Sequence, residues 1–250
     1  MATQRRKPAP PLTIGAWLRL DAIRRGLALL GPKRVLEVGP GLGAMAHRLA
    51  SKHEYVGLER DGISNAATGA VLDSLGSGLV VHGEIGDLAQ QGKFDAVCAF
   101  EVLEHQHDDV GALRNWSAVM LSGGGVVLSV PAKPHRFGSW DQAVGHVRRY
   151  TRISLGEVLN EAGFEVVSLE AWGVGLGDAL EFFRNRAYRV AERPTSNEER
   201  TADSGRLLQP NSRTRGLVNG TAALPFRLLQ YPLRGTNFGT GLVAVGRLRS

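Results

Sequence analysis

Val35-Leu36-Glu37-Val38-Gly39-Pro40-Gly41-Leu42-Gly43 is the stretch on which the fold turns. Four residues of buried-strand character run into a turn with glycine at every second position, and Ala44–Ser51 resumes at helical spacing. A strand, a glycine-rich turn and a helix in that order aim backbone N–H groups and a helix N-terminus at a ligand. Alone, the turn is ambiguous. Gly39-x-Gly41-x-x-Ala44 satisfies the relaxed dinucleotide pattern, and Glu59 lies 20 residues beyond Gly39, where an acid meets the ribose of NAD. An NAD(P)-dependent oxidoreductase is therefore one reading.

Outward from this turn, short apolar runs alternate with helical patterns. Val35–Val38, Tyr55–Leu58, Leu79–His82, Ala96–Phe100 and Val126–Val130 predict buried strands, bounded by Gly, Pro or charge. Ala44–Ser51, Ile63–Ser74 and Val110–Met120 predict the helices between them, and Ile14–Leu30 a helix ahead of the first strand, packed over the sheet or the active site. This is an α/β pattern: a doubly wound, mostly parallel sheet with helices on both faces. Residues 131–150 read as a long loop. Beyond it, Ser154–Ala162 predicts a helix stopped by Gly163, Phe164–Leu169 a strand, Leu176–Val190 an amphipathic helix and Leu242–Gly246 a seventh strand. Arg193–Arg215 is polar and expected to be mobile, and Pro225 and Pro232 argue against one continuous helix over Leu217–Leu233. The expectation is one domain over 1–250, with an N-terminal helix in 1–30, a cofactor-binding core in 31–175, and lid or substrate insertions in 131–150 and 176–233.

Composition narrows the class. With 250 residues, 43% hydrophobic and 22% charged, the chain can bury a full core. Its one cysteine, Cys98, excludes a disulfide framework and a cysteine-rich metal site. No run is long enough to span a bilayer, and Arg5, Arg6 and Lys7 lead into prolines instead of a signal-peptide core, so a cytoplasmic location is expected. The net charge of +6 is uneven: residues 1–183 carry −2 and residues 184–250 carry +8, all the cations of the latter being arginine. That basic quarter either meets phosphate, nucleic acid or an anionic surface, or is a solvated helix face.

Three details turn the reading towards S-adenosylmethionine. Glu37 stands two residues before the first glycine, where a carboxylate meets a cationic amino group. The third glycine is Gly43, giving E-x-G-x-G-x-G. Gly83-Glu84-Ile85 follows the third strand and Phe94-Asp95-Ala96-Val97 opens the fourth. With LEVGPGLG (36–43), VGLERD (56–61), GEIGDL (83–88), KFDAVCAFEVLEH (93–105), GGGVVLSVPA (123–132) and GHVRRYTRISLGEVLNEAGFEV (145–166) in order, the sequence resembles the class I S-adenosylmethionine-dependent methyltransferases over about residues 15 to 175. It looks most like the small-molecule branch of ubiquinone-biosynthesis O-methyltransferases and bacterial natural-product enzymes.

The resemblance implies a seven-stranded Rossmann-like methyltransferase sheet with a substrate-binding cap, and roles for particular residues. Glu37, Gly39, Pro40, Gly41 and Gly43 would frame the methionine end; Glu59, beside Arg60, would accept the ribose hydroxyls. Glu84 and Ile85 would flank the adenine, where many relatives carry Asp in place of Glu84, and Phe100 and Glu101 would line the cofactor beneath the sulfonium. The product would be S-adenosylhomocysteine.

Two patches bear on the acceptor. Glu101, Glu104 and His105 form E-x-x-E-H, one face of a helix if a helix starts there. They are a candidate divalent-metal set, shared with some metal-dependent quinone O-methyltransferases, against the alternative of an acid-rich helix start; no metal is expected. Trp140, Asp141, His146, Arg149 and Tyr150 follow the fifth strand. His146, or alternatively His105, is the candidate general base, with Trp140, Arg149 and Tyr150 as acceptor-binding residues; the competing reading is that the cluster ties the loop to Asp141.

The leading expectation is methyl transfer to a small metabolite, at oxygen before nitrogen or carbon, with a homodimer left open. An RNA or protein methyltransferase using the arginine-rich C-terminal segment is the alternative; the Asn/Asp-Pro-Pro-aromatic motif is absent after Phe100, and so are interleaved stacking aromatics in the basic segment. A non-catalytic cofactor-binding scaffold is the third.

Overall fold

The structure, a computed structural model, describes residues 9–188 and 213–249. Elements follow in chain order: α1 Ile14–Leu30, β1 Arg34–Val38, α2 Ala44–Ala50, β2 Glu54–Glu59, α3 Gly62–Leu75, β3 Leu79–His82, β4 Phe94–Phe100, α4 Asp109–Ser117, β5 Met120–Pro131, α5 Ser139–Val144, α6 Arg152–Glu161, β6 Phe164–Trp172, α7 Leu176–Tyr188, α8 Arg213–Leu229 and β7 Gly241–Leu248.

The seven strands form one sheet in the order β3-β2-β1-β4-β5-β7-β6. All neighbours are parallel from β3 to β5; β7 runs antiparallel between β5 and β6. The chain leaves β1 towards one edge and returns to β4 on its other side, so the carboxyl ends of β1 and β4 flank the crevice where such sheets take ligands.

Alternate residues of each strand feed a core on each face. Leu36, Val97, Leu128 and Phe164 pack on one side; Val35, Cys98 and Val127 pack with Ile23 and Leu27 of α1 on the other. Full burial of a side chain such as Ile23 contributes about 1.5–3 kcal/mol. α1 is opened by Thr13, whose hydroxyl accepts the Ala16 N–H at 3.1 Å, and closed by Gly31 at φ +61°. It lies so close to the sheet that a Cβ on Gly26 would meet Val245 at 2.8 Å.

Several expectations change. Met120 starts β5 instead of ending a helix, because its backbone pairs with β4 opposite Phe94. Residues 131–150 are not all loop: they hold a 3-10 turn at Pro134–Arg136 and the helix α5. Arg213–Leu229 is one helix with Pro225 inside it. The proline forfeits one backbone hydrogen bond, but the helix is fastened to α1: Arg227 pairs with Asp21 at 2.6 Å, and Gly220 brings the backbone against the Trp17 ring. Residues 193–212 of the segment expected to be mobile lie outside the described residues.

Candidate active site

The glycine turn sits at the carboxyl end of β1 with Gly39, Gly41 and Gly43 at φ +69°, +57° and +78°, conformations that favour glycine. Their spatial roles differ. A Cβ on Gly43 would press on Thr68 of α3 at 3.1–3.2 Å, so this glycine brings two helices together. A Cβ on Gly41 would meet no protein atom within 4 Å. The space above Gly41 is open.

Glu59 closes the end of β2. Its Oε2 accepts the Gly41 N–H at 2.9 Å and its Oε1 accepts the Asp61 N–H at 3.0 Å. Burial raises its pKa, against the pull of those backbone donors. Each oxygen keeps a second lone pair for a ribose hydroxyl. Glu37 lies under the turn, 2% exposed, and accepts the Tyr55 hydroxyl at 2.7 Å. Burial pushes its carboxyl up to about 7, more than the Tyr55 hydrogen bond and Arg19 restore. Open space over a glycine turn, a pinned acid at the ribose position and a second carboxyl near neutrality fit a nucleoside cofactor with a cationic tail. Ile85 packs half-buried against the core and Phe100 is buried. Glu84 is exposed and spends one oxygen on Arg60 at 2.7 Å, so these two expected cofactor contacts are paired with each other.

At the adjacent strand ends, Glu101 and Lys133 have φ of +60° and +62°, the positive-φ residues other than glycine among those described. Such strain collects at functional sites. Glu101 accepts the Ser129 hydroxyl at 2.8 Å and faces Arg19 Nη1 at 3.5 Å. Its left-handed backbone also corrects the E-x-x-E-H expectation. No α-helix starts there; Leu103–His105 is a 3-10 turn, and Glu101 points to Arg19 and Ser129 instead of joining Glu104 and His105. The third donor is His146: ligand atoms of Glu104, His105 and His146 lie within 4.8 Å of one another.

Glu104 is fully enclosed, and neither carboxylate oxygen has a hydrogen-bond partner. Burial raises its pKa well above the usual carboxylate range. One buried carboxylate without a hydrogen-bond partner, together with two imidazoles, fits a divalent ion. His105 is held at a pKa of about 3 by burial and by the neighbouring His146 ring, 4.8 Å away. A ring so weakly basic is uncharged at neutral pH and is a poor proton acceptor.

His146 is built differently. Its Nδ1 lies 2.8 Å from Asp141 Oδ1, and its Nε2 faces Glu104 Oε1 at 3.6 Å. Asp141 also takes Arg149 Nε at 2.8 Å, Arg149 Nη2 at 2.7 Å and the Gly138 N–H at 2.8 Å. Burial alone would raise its pKa, but the His146 and Arg149 hydrogen bonds pull it down to about 2. Asp141 therefore remains a carboxylate and fixes the His146 proton on Nδ1, leaving Nε2 as the basic nitrogen.

The other expected acceptor contacts are enclosed. Arg149 is buried between Asp141 and Glu181, and the buried Tyr150 hydroxyl donates to Asp109 at 2.9 Å. Both tie the 131–150 segment to neighbouring elements. Trp140 is also buried, with Arg184 stacked on it at 4.9 Å. Sequence reasoning missed Arg19 and Arg184: arginines on amphipathic helices carry no local mark, and only the fold brings α1 and α7 to the end of β4.

Comparison with known proteins agrees with this arrangement. The family profile described as a methyltransferase domain matches residues 16–169. The chain is 38% identical over 120 residues to a ubiquinone biosynthesis O-methyltransferase of Chromobacterium violaceum, covering 45% of this chain and 50% of that protein. It is 35% identical over 127 residues to the enzyme of the same name from Xanthomonas campestris, covering 49% and 52%. The chain thus spans about half the length of the curated relatives it matches. Among solved structures, the N-methyltransferase NodS of Bradyrhizobium japonicum with S-adenosyl-L-homocysteine shares the fold at TM-score 0.54 and 14% identity, over 92% of this chain and 87% of that one. The [4+2]-cyclase SpnF aligns at TM-score 0.56 and 21% identity, over 92% and 81%. Family profile, fold and glycine turn together give one assignment: the chain belongs to the methyltransferase-domain family, the S-adenosylmethionine-dependent class that its sequence resembles.

Proposed function

We propose that this protein transfers the methyl group of S-adenosylmethionine to a hydroxyl oxygen of a small acceptor in a biosynthetic pathway. The observation that carries the reading is the Asp141–His146 pair at 2.8 Å, which the segment after β5 brings to Glu104, just past the end of β4. A bound sulfonium supplies the activated methyl carbon: the sulfur–carbon bond breaks as the oxygen–carbon bond forms, leaving S-adenosylhomocysteine. The turn at Gly39–Gly43 would hold the methionine end of the cofactor and Glu59 its ribose. Glu101, fixed by Ser129 and Arg19, stands at the strand end between cofactor and acceptor. His146 Nε2 takes the acceptor's proton while Asp141 stabilises the imidazolium. The named O-methyltransferase relatives favour oxygen as the target. Fold neighbours that methylate nitrogen, or that cyclise, are too distant in sequence to weigh on the reaction.

The unpaired Glu104 favours a second reading, in which Glu104, His105 and His146 hold a divalent ion that polarises the acceptor oxygen. His146→Ala is expected to lower kcat by about 10²-fold or more with unchanged affinity for the cofactor. Turnover that survives dialysis against a chelator supports the base; loss restored by Mg²⁺, Mn²⁺ or Zn²⁺ supports the metal. Normal turnover of His146→Ala overturns both.

A further inference from the structure

We infer that the acceptor carries an oxyanion, a carboxylate or a phosphate ester, and that Arg184 of α7, with Arg19 of α1 across the crevice, holds it. The inference rests on the methyltransferase reading and names its substrate class.

Each arginine is pinned by a tryptophan. Arg184 lies over Trp140 at 4.9 Å and Arg19 over Trp172 at 5.6 Å. Each has an enclosed Nε with no hydrogen-bond partner. Arg19 has one weak ion pair, to Glu101 at 3.5 Å. Arg184 stands within the electrostatic reach of Glu101, Asp141 and Glu181, yet none of these carboxylates comes within ion-pair distance of it. They supply field and no hydrogen bond. The nearby cations behave otherwise: Arg149 is saturated by Asp141 and Glu181, while Arg136 and Lys133 both meet Asp178.

A guanidinium Nε taken out of water without a partner is costly, and burial lowers the Arg184 pKa in keeping with that cost. A planar oxyanion would use the guanidinium's edge through two parallel hydrogen bonds while Trp140 keeps its face. The location suits an acceptor: Arg184 senses Glu101 at the cofactor side and Asp141, the partner of His146, at the other. An acceptor anchored there by its anionic end would present a hydroxyl between them. A neutral acceptor would leave both guanidiniums unsatisfied.

The test is calorimetric titration of the protein saturated with S-adenosylhomocysteine, using 3,4-dihydroxybenzoate, its methyl ester and phenyl phosphate as probes. The acid or the phosphate is expected to bind at least about tenfold more tightly than the ester, and whichever is tighter identifies the oxyanion. Arg184→Met, which keeps the stem over Trp140, is expected to weaken that binding about ten- to hundredfold; Arg184→Lys, with charge but no fork, falls between. Affinity for S-adenosylhomocysteine should stay unchanged in both variants. Equal binding of acid and ester, no saturable binding of either oxyanion, or an Arg184→Met protein that binds the acid normally would overturn the inference. Failure of the wild-type protein to bind S-adenosylhomocysteine would instead overturn the reading on which it rests.

Discussion

At the scale of single residues, the cofactor end offers the sharpest tests. Glu59→Ala is expected to weaken S-adenosylmethionine binding by about 1.5–3 kcal/mol, the size of lost charged hydrogen bonds at a half-buried site. Gly41→Val should abolish binding, since a branched side chain would enter the open space above the turn and strain a φ of +57°. Calorimetric titration reads both. Glu37 adds a pH dependence. Its folded pKa, near 7, lies above the ordinary value of 4.5, so its stabilising protonated form is complete below about pH 4.5 and lost as pH rises through 7. A cationic ligand needs the opposite form. Glu37→Gln should therefore raise the melting temperature of the ligand-free protein at pH 8 and leave it unchanged at pH 4.5, while cofactor affinity of the wild type should fall as pH drops below 7. A pH-independent difference between the two proteins would refute this. The placing of Glu37 and Glu59 around the glycine turn was legible because turn chemistry is local. The burial of Arg149 and Tyr150 was not, because their partners Glu181 and Asp109 lie 32 and 41 residues away in the chain.

At the scale of secondary-structure elements, the seating of α8 on α1 offers a test. Two links hold it. Arg227 makes a paired contact with Asp21, which is 34% exposed, so solvent limits it to about 0.5–1 kcal/mol. Gln230, just past the helix, is buried; it accepts the Gly173 N–H at 2.8 Å and donates to the Leu18 carbonyl at 2.6 Å. Removing it strands the Gly173 N–H, at about 1–3 kcal/mol, while the Leu18 carbonyl keeps its bond within α1. Gln230→Leu should accordingly cost more stability in urea unfolding than Arg227→Met, although the latter breaks an ion pair. The reverse ranking would show that charge, and not hydrogen-bond satisfaction, seats α8 on α1. Neither link shows in the local pattern. Pro225 argued for a break, and the helix persists because tertiary contacts with α1 outweigh one lost backbone bond.

For the whole molecule, ligand and fold are linked by mass action. S-adenosylhomocysteine at a hundred times its Kd should stabilise the folded chain by about 2.7 kcal/mol, a rise of roughly 5–10 °C in melting temperature for a chain of this size. NAD at the same concentration should leave it unmoved, and a scanning-calorimetry result with the ligands reversed would restore the oxidoreductase reading of the glycine turn. What the amino-acid sequence determined by itself is the alternation of strands and helices, the parallel core and the cofactor end, because strand periodicity, helix caps and a glycine turn are written within a few residues of one another. Only the tertiary structure decided the acceptor end. The left-handed backbone at Glu101 parts it from Glu104 and His105, and the insertion after β5 brings His146 to them with Asp141 as its anchor. Helices α1 and α7, far apart in sequence, bring Arg19 and Arg184 within electrostatic reach of Glu101. These are contacts between residues far apart in sequence, set by which faces the sheet buries, and no local pattern encodes them.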